Sequence, residues 1–300
     1  HYSSTSIKTF DMLRKATLSF TKLQRTPASG FQGFSTAAKV AASGMEILDP
    51  TIGLNEDQTE FYNLARSFAD NELKPYAGKW DRESHFPVDT FKKFGELGFG
   101  GIFVKEDVGG SALKRADAVT IVEGLATGCV GTTAMLTIHN MVASTIDKFG
   151  TKEQREQWLP KIVSVEQICS FCLTEPGSGS DAASLTTKAT YDAATDEYVL
   201  NGGKVFISGA GLSDVYLVMV RTGEKSISSV LVPKGVPGLT FGAHEDKMGW
   251  NCQPTAQVNF EDVRIPAANR LGAEGEGFKV AMGGLDGGRL NIGSCSLGAA

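Results

Sequence analysis

No apolar run in this chain approaches the roughly 18–20 residues that a membrane-spanning helix needs. One of the longest, Val215 to Val220, is only strand-sized, so integral membrane association is not expected. A basic excess is missing too. Lys and Arg total 29 against 34 Asp and Glu, a net charge of -5, which excludes a domain-wide nucleic-acid surface. The five cysteines (Cys129, Cys169, Cys172, Cys252, Cys295) are an odd count in a long chain, which argues against a disulfide framework and for a reducing compartment. Histidine is scarce. His85, His139 and His244 show no metal-ligand spacing and read as structural residues, while His1 sits in the leader.

What remains is ordinary globular material: 300 residues, 41% hydrophobic and 21% charged, enough for two compact domains. Cys169 and Cys172 form a C-x-x-C, the spacing of some zinc and redox sites. They fall in a strand-like run with no second pair, where residues three apart face opposite sides, so two small core residues are expected. From His1 to Gly44, Lys8, Arg14, Lys15, Lys22, Arg25 and Lys39 face a single acid, Asp11, among many Ser and Thr. That composition fits a mitochondrial transit peptide, the alternative being a disordered basic tail. The chain begins without Met, and its true start is expected upstream.

Asn55 to Trp158 reads as helical. Phe61, Leu64, Ala65 and Phe68 share a face of a helix expected to end near Pro75, and Val88–Leu97 forms a second. Leu113–Leu125 and Met135–Phe149 follow, the latter stopped by Gly150 at C′. Thr151 and Gln154 make a capping box for a helix that Pro160 is expected to terminate. Beyond it, Ile168–Leu173, Ser184–Tyr191, Tyr198–Leu200, Lys204–Ile207, Val215–Val220, Ser229–Val232, Leu239–Phe241 and Thr255–Phe260 read as short strands. Asn201-Gly202-Gly203 signals a hairpin between two of them. From Gly277 a glycine-rich helical pattern runs to Ala300, expected where a ligand or neighbouring helix approaches the backbone.

Three blocks carry chemistry. In Cys172-Leu173-Thr174-Glu175-Pro176-Gly177-Ser178-Gly179-Ser180-Asp181 an apolar strand gives way to a Gly/Ser loop that offers N–H groups and hydroxyls to acceptor-rich ligands. Gly177, Gly179 and Ala182 also fit a loose dinucleotide fingerprint, but strand-like residues follow where a nucleotide-binding helix would have to start, and that reading is rejected. The other blocks are Asn201-Gly202-Gly203-Lys204-Val205-Phe206-Ile207-Ser208-Gly209-Ala210 and Leu285-Asp286-Gly287-Gly288-Arg289.

Together with Lys148–Gln154 and Asn269-Arg270-Leu271-Gly272, these blocks resemble the acyl-CoA dehydrogenase family from about Leu54 to Ala300. The resemblance implies an α+β fold: an N-terminal all-α domain (51–165) after a leader (1–50), a β-barrel-like flavin-binding middle domain (166–268), and the start of a C-terminal helical bundle (269–300). It implies FAD as cofactor, an acyl-CoA as substrate, electron transfer flavoprotein as electron acceptor, a homotetramer at full length, and the mitochondrial matrix as location.

By the same resemblance FAD would be held by Phe171, Cys172, Leu173, Thr174, Gly179, Ser180, Phe206, Ile207 and Ser208. Thr174 and Ser208 would hydrogen-bond the isoalloxazine edge, and Phe206 would pack on the ring. Ser180, Asp286, Gly287, Gly288 and Arg289 would meet the acyl-CoA, with Arg289 as a structural ion-pair partner the alternative. Thr133 and Thr137 would line the far end of the acyl pocket. Some members place the catalytic glutamate immediately before the matching arginine; Gly288 stands there, so no catalytic base is assigned within the chain and one is expected beyond Ala300. Ala126–Cys129, Ile138–Met141, Gly249–Asn251 and Asn291–Ala300 resemble the members that dehydrogenate short branched-chain acyl-CoAs. Isobutyryl-CoA, from valine breakdown, is then the implied substrate. A 2-methylbutyryl or short-chain enzyme, or a catalytically incomplete flavin- and CoA-binding fragment, is the alternative.

Overall fold

The structure is a computed structural model, and it describes residues 49–300; the basic leader segment lies outside the described residues. Asn55 opens α1 (Glu56–Phe68) through a capping box with Gln58. The chain does not stop near Pro75. It passes through a π-helical turn, Ala69–Leu73, into α2 (Lys74–Arg82), where proline sits in the first turn and its missing N–H costs nothing. Next come α3 (Val88–Glu96), α4 (Arg115–Ala126), α5 (Val130–Phe149) and α6 (Lys152–Val163).

Two helix ends differ from the sequence reading. Gly150 ends α5 in extended backbone (φ -73°, ψ 150°), not in the left-handed conformation. Glycine is needed there for space, since a Cβ would lie 2.5 Å from the Ile146 carbonyl oxygen. Pro160 lies inside α6, which continues to Val163; near a helix end, proline forfeits only one hydrogen bond. The Thr151–Gln154 capping box forms as expected, and Gln154 also donates to the carbonyls of Ala268 and Arg270, tying α6 to the far end of the β-region.

The β-region contains β1 (Cys169–Cys172), β2 (Lys188–Asp192), β3 (Glu197–Ser208), β4 (Val215–Arg221), β5 (Ile227–Pro233), β6 (Leu239–His244), β7 (Thr255–Pro266) and β8 (Arg270–Leu271). They form one mixed sheet in the order β6-β7-β3-β2-β4-β5-β8, with β1 pairing parallel to β4. The hairpin expected at Asn201-Gly202-Gly203 does not exist. β3 runs straight through these residues against β7, and Gly202 (φ 140°) absorbs a register shift there. The turn lies earlier, between β2 and β3, where Asp192 pairs with Glu197. The strand expected over Ser184–Tyr191 starts only at Lys188, after a short 3-10 turn at Ala182–Ser184. A final helix, α7 (Gly277–Ala299), returns to pack on α4 and α5.

Three apolar clusters hold these layers together. Phe61, Phe68, Phe91 and Phe94 centre the helical core, and Tyr198, Val218, Val230 and Val258 centre the sheet core. Between them, Ile146, Trp158, Leu217, Leu231 and Val280 weld α5, α6 and α7 to the sheet. Cys169 joins that middle cluster while Cys172 joins the sheet core, so the two sulfurs do face opposite sides. No cluster of metal-ligating side chains occurs among the described residues, and no described helix is long and apolar enough to cross a membrane.

Candidate active site

The Gly/Ser loop after β1 is fastened by a buried ion pair. Lys204 on β3 has no exposed surface, and its Nζ donates to Glu175 Oε1 at 2.7 Å and to the Leu173 carbonyl at 3.1 Å. Glu175 accepts three more bonds, from the Thr186 N–H and hydroxyl on Oε2 and from the Thr187 N–H on Oε1. Burial alone would raise the Glu175 carboxyl; the bonds from Lys204, Thr187 and Thr186 outweigh it and hold the group at about 2. Both ends of the loop are thus pinned to one carboxylate. Val205 N–H donates to the Thr174 carbonyl at 2.9 Å, which stitches the loop to β3.

That fastening leaves two hydroxyls over. Thr174 and Ser208 are half-buried, and neither side chain has a hydrogen-bond partner among the described residues. Gly177 and Gly179 face open space, and Ser180 is exposed. Cys172, Leu173 and Ile207 bury their side chains in apolar clusters, so only their backbone is available to a ligand, and Phe171 is half-buried beside them. Phe206 stands out at 65% exposure, in left-handed backbone (φ 59°) at the second register shift of β3. A large aromatic held outward in strained backbone is a group displayed for contact. The donor set and the open glycine backbone fit a planar, acceptor-rich ring such as a flavin.

Beside it lies a cavity of about 440 Å³. Helix α5 contributes Ala134, Thr137, Ile138 and Met141; the 247–255 segment contributes Lys247, Gly249, Trp250, Gln253 and Thr255; and α7 contributes Leu285, Gly288, Arg289 and Ile292. Ser208 completes the wall. Of the residues singled out from sequence, the structure therefore brings together Ser208, Gly288, Arg289 and Thr137. Thr133 is fully buried with its hydroxyl on the Cys129 carbonyl, away from this wall. Gly287 turns toward Arg115 on α4, whose guanidinium would meet a Cβ there at 2.3 Å. Asp286 and Arg289 pair with each other at 3.2 Å on the exposed face.

Sequence reading missed the staple that shapes the 247–255 segment. Lys247 Nζ donates to the carbonyls of Trp250 and Gln253 and to Thr255 Oγ1, and Asp81 on α2 accepts the Asn251 N–H at 2.6 Å. Trp250 is thereby held in left-handed backbone (φ 58°), 40% exposed at the cavity mouth. Nothing in a Lys-Met-Gly-Trp string announces this, because its partners are backbone carbonyls. No carboxylate lines the cavity. His139 is buried between the Ile162 carbonyl, which accepts from Nε2 at 3.0 Å, and the Cys169 N–H, which donates to Nδ1 at 3.3 Å. Burial lowers it to about 4, so it is a neutral structural residue.

Residues 55–166 match the acyl-CoA dehydrogenase N-terminal domain and residues 170–263 the acyl-CoA dehydrogenase middle domain. The chain is 58% identical over 256 residues to the mitochondrial isobutyryl-CoA dehydrogenase of Dictyostelium discoideum and 54% identical over 256 residues to that of Bos taurus, covering 84% of this chain in each case. It spans 61% of the length of each of these two relatives. The butyryl-CoA dehydrogenase structure from Megasphaera elsdenii superposes with a TM-score of 0.78 at 34% identity, over 85% of this chain and 67% of that one. The chain belongs to the acyl-CoA dehydrogenase family.

Proposed function

We propose that this chain supplies the flavin- and acyl-CoA-binding part of a mitochondrial dehydrogenase that converts isobutyryl-CoA to methacrylyl-CoA. The observation that carries the reading is the meeting of Ser208 from the sheet with Gly288 and Arg289 from α7 in one cavity, beside two half-buried hydroxyls without partners. Two relatives named as mitochondrial isobutyryl-CoA dehydrogenases support the substrate and the mitochondrial location, and the matrix is the compartment proposed.

Bound FAD would supply the redox chemistry, a hydride acceptor for the β-hydrogen of the acyl chain. The protein's own contribution is orientation and electrostatics. Thr174 and Ser208 offer hydroxyls to the ring edge, Phe206 offers its face, and the Phe171–Thr174 and Gly179–Ser180 backbone lines the rest of the cradle. Gly288 lines the cavity and has no side chain, so a thioester can lie along α7 at this point. Asp286, Arg289 and Ser180 are proposed to meet the CoA portion. The Trp250 segment and α5 exclude water around the short acyl group, which strengthens any hydrogen bond to the thioester carbonyl. No Asp or Glu lines this cavity among the described residues, and the base that takes the α-proton is proposed to lie outside them. Electron transfer flavoprotein is the proposed acceptor, and the full-length enzyme is proposed to be a homotetramer.

The test is titration of the chain with FAD, followed by flavin fluorescence, and then with acyl-CoAs. Saturable FAD binding, with isobutyryl-CoA bound more tightly than butyryl- or 2-methylbutyryl-CoA, is expected. 2-Methylbutyryl-CoA carries one methylene more than isobutyryl-CoA, worth about 1–3 kcal/mol in such a pocket, so a preference of about 10-fold or more over it is expected. A chain that binds no flavin, or ranks the three ligands equally, contradicts the proposal.

A further inference from the structure

The first turn of α5 and the 248–253 loop meet at a pair of sulfurs. Cys129, which caps α5, and Cys252 are both buried, and their Sγ atoms lie 3.9 Å apart. They are 123 positions apart in sequence, and each is next to an element that lines the cavity, Cys129 at the start of α5 and Cys252 in the 247–255 segment. The packing that joins them is specific. A Cβ on Gly131, in the first turn, would fall 2.4 Å from Cys252 Sγ, so the absence of a side chain there seats the sulfur against the helix. Asp81 accepts the Cys252 N–H at 3.3 Å, and Lys247 clamps the loop on the other side.

Cys129 also differs chemically from the other cysteines, Cys252 included, whose thiol is raised by its hydrogen bond to Cys129 and by burial. Cys172 and Cys295 are pushed up to about 12 by burial, and Cys169 rises as well. Cys129 is instead lowered from the ordinary thiol range by the hydrogen bond from Cys252, with further help from Thr132 and the N–H groups of the first helical turn. Closing a disulfide to about 2.05 Å requires the sulfurs to approach by roughly 1.9 Å. Cys252 lies in the turn between β6 and β7, so the approach displaces turn residues, against the Lys247 and Asp81 bonds, rather than a strand or helix.

We propose that Cys129 and Cys252 are a peroxide-oxidisable dithiol whose disulfide ties the start of α5 to the 247–255 segment. Cys129 sulfur attacks hydrogen peroxide, the O–O bond breaks, and one water leaves as Cys129 becomes a sulfenic acid. Cys252 sulfur then attacks Cys129 sulfur, the S–O bond breaks, and a second water carries off the hydroxyl with the Cys252 proton. Two thiols lose two electrons and one peroxide gains them. The step uses neither flavin nor acyl-CoA and stands apart from the proposed dehydrogenation.

The experiment treats the full 300-residue chain with hydrogen peroxide, blocks remaining thiols with iodoacetamide, and maps non-reduced peptides by mass spectrometry alongside a thiol count in denaturant. The count is expected to fall from five to three, with one linked peptide joining Cys129 to Cys252 that disappears on treatment with dithiothreitol. Cys252→Ser should abolish the linked peptide and leave a dimedone-reactive sulfenic acid on Cys129. Retention of all five thiols, a link between another pair, or over-oxidation of Cys129 without a link in the unsubstituted chain overturns the proposal.

Discussion

The Gly/Ser loop after β1 and helix α7 approach the same site but are built in opposite ways. The loop is anchored from within, by a buried Lys204–Glu175 pair that gathers Leu173, Thr186 and Thr187 around one carboxylate. Helix α7 has no such anchor. It holds its place by close approach, with Gly298 against the Glu123 carbonyl and Gly287 under the Arg115 guanidinium, which stacks on Phe103 at 3.9 Å and bonds Asn291 at 3.2 Å. Its outer face leaves Leu290 and Leu297 exposed. A buried ion pair fixes the loop, while close backbone approach with one Arg115–Asn291 bond fixes the helix, so the two should fail differently.

The largest expected effect is on the loop. Lys204→Met leaves the Glu175 carboxylate buried without its partner and should cost about 3–5 kcal/mol in urea unfolding. A loss no greater than that of a surface substitution would break the comparison. Acid should act at the same place. Glu175 is held at about 2 in the folded protein, below the ordinary carboxylate value of 4.5. Its contribution is therefore complete above about pH 4.5 and is lost as pH falls toward 2, a difference of about 3 kcal/mol. Unfolding curves of the unsubstituted chain should lose this much more than those of Glu175→Gln over that interval.

Helix α7 should respond to volume, position by position. Gly298→Ala would place a Cβ 2.2 Å from the Glu123 carbonyl oxygen, where backbone must move, and should cost about 1–3 kcal/mol by thermal unfolding. Thr174→Ala and Ser208→Ala should each weaken FAD binding about fivefold while leaving the unfolding free energy nearly unchanged, since neither hydroxyl bonds to protein. Smallest is Gly293→Ala. No atom lies within 4 Å of its Cβ position, so the helix should gain up to about 1 kcal/mol. A gain at Gly298 or a large loss at Gly293 would show that α7 is held by something other than close approach.

The same contrast explains what the sequence made legible. Local rules carried the Thr151 capping box, the opposite-facing Cys169 and Cys172, and the lack of an α-helix after the Gly/Ser loop, where only a three-residue 3-10 turn precedes β2, because each depends on a few neighbouring residues. Asn201-Gly202-Gly203 misled because turn chemistry was overridden by the long pairing of β3 with β7, which uses Gly202 as a bulge. Pro75 and Pro160 misled for a related reason: proline is tolerated in a first turn and near a helix end. Within the site, Ser208, Gly288 and Arg289 were readable as parts of motifs. Lys247 and Gln253 were not, and Trp250 was readable only as part of the Gly249–Asn251 block, since the shape of this segment rests on bonds to backbone carbonyls and on a positive φ that no residue type announces.

The central claim is that this chain holds flavin and acyl-CoA together without a base to start the reaction. An anaerobic visible spectrum of the FAD-reconstituted chain, before and after addition of isobutyryl-CoA, tests it most directly. The flavin band is expected to shift without bleaching, because no carboxylate lines the cavity. Rapid bleaching would mean that a proton acceptor lies within these residues, and would contradict the account.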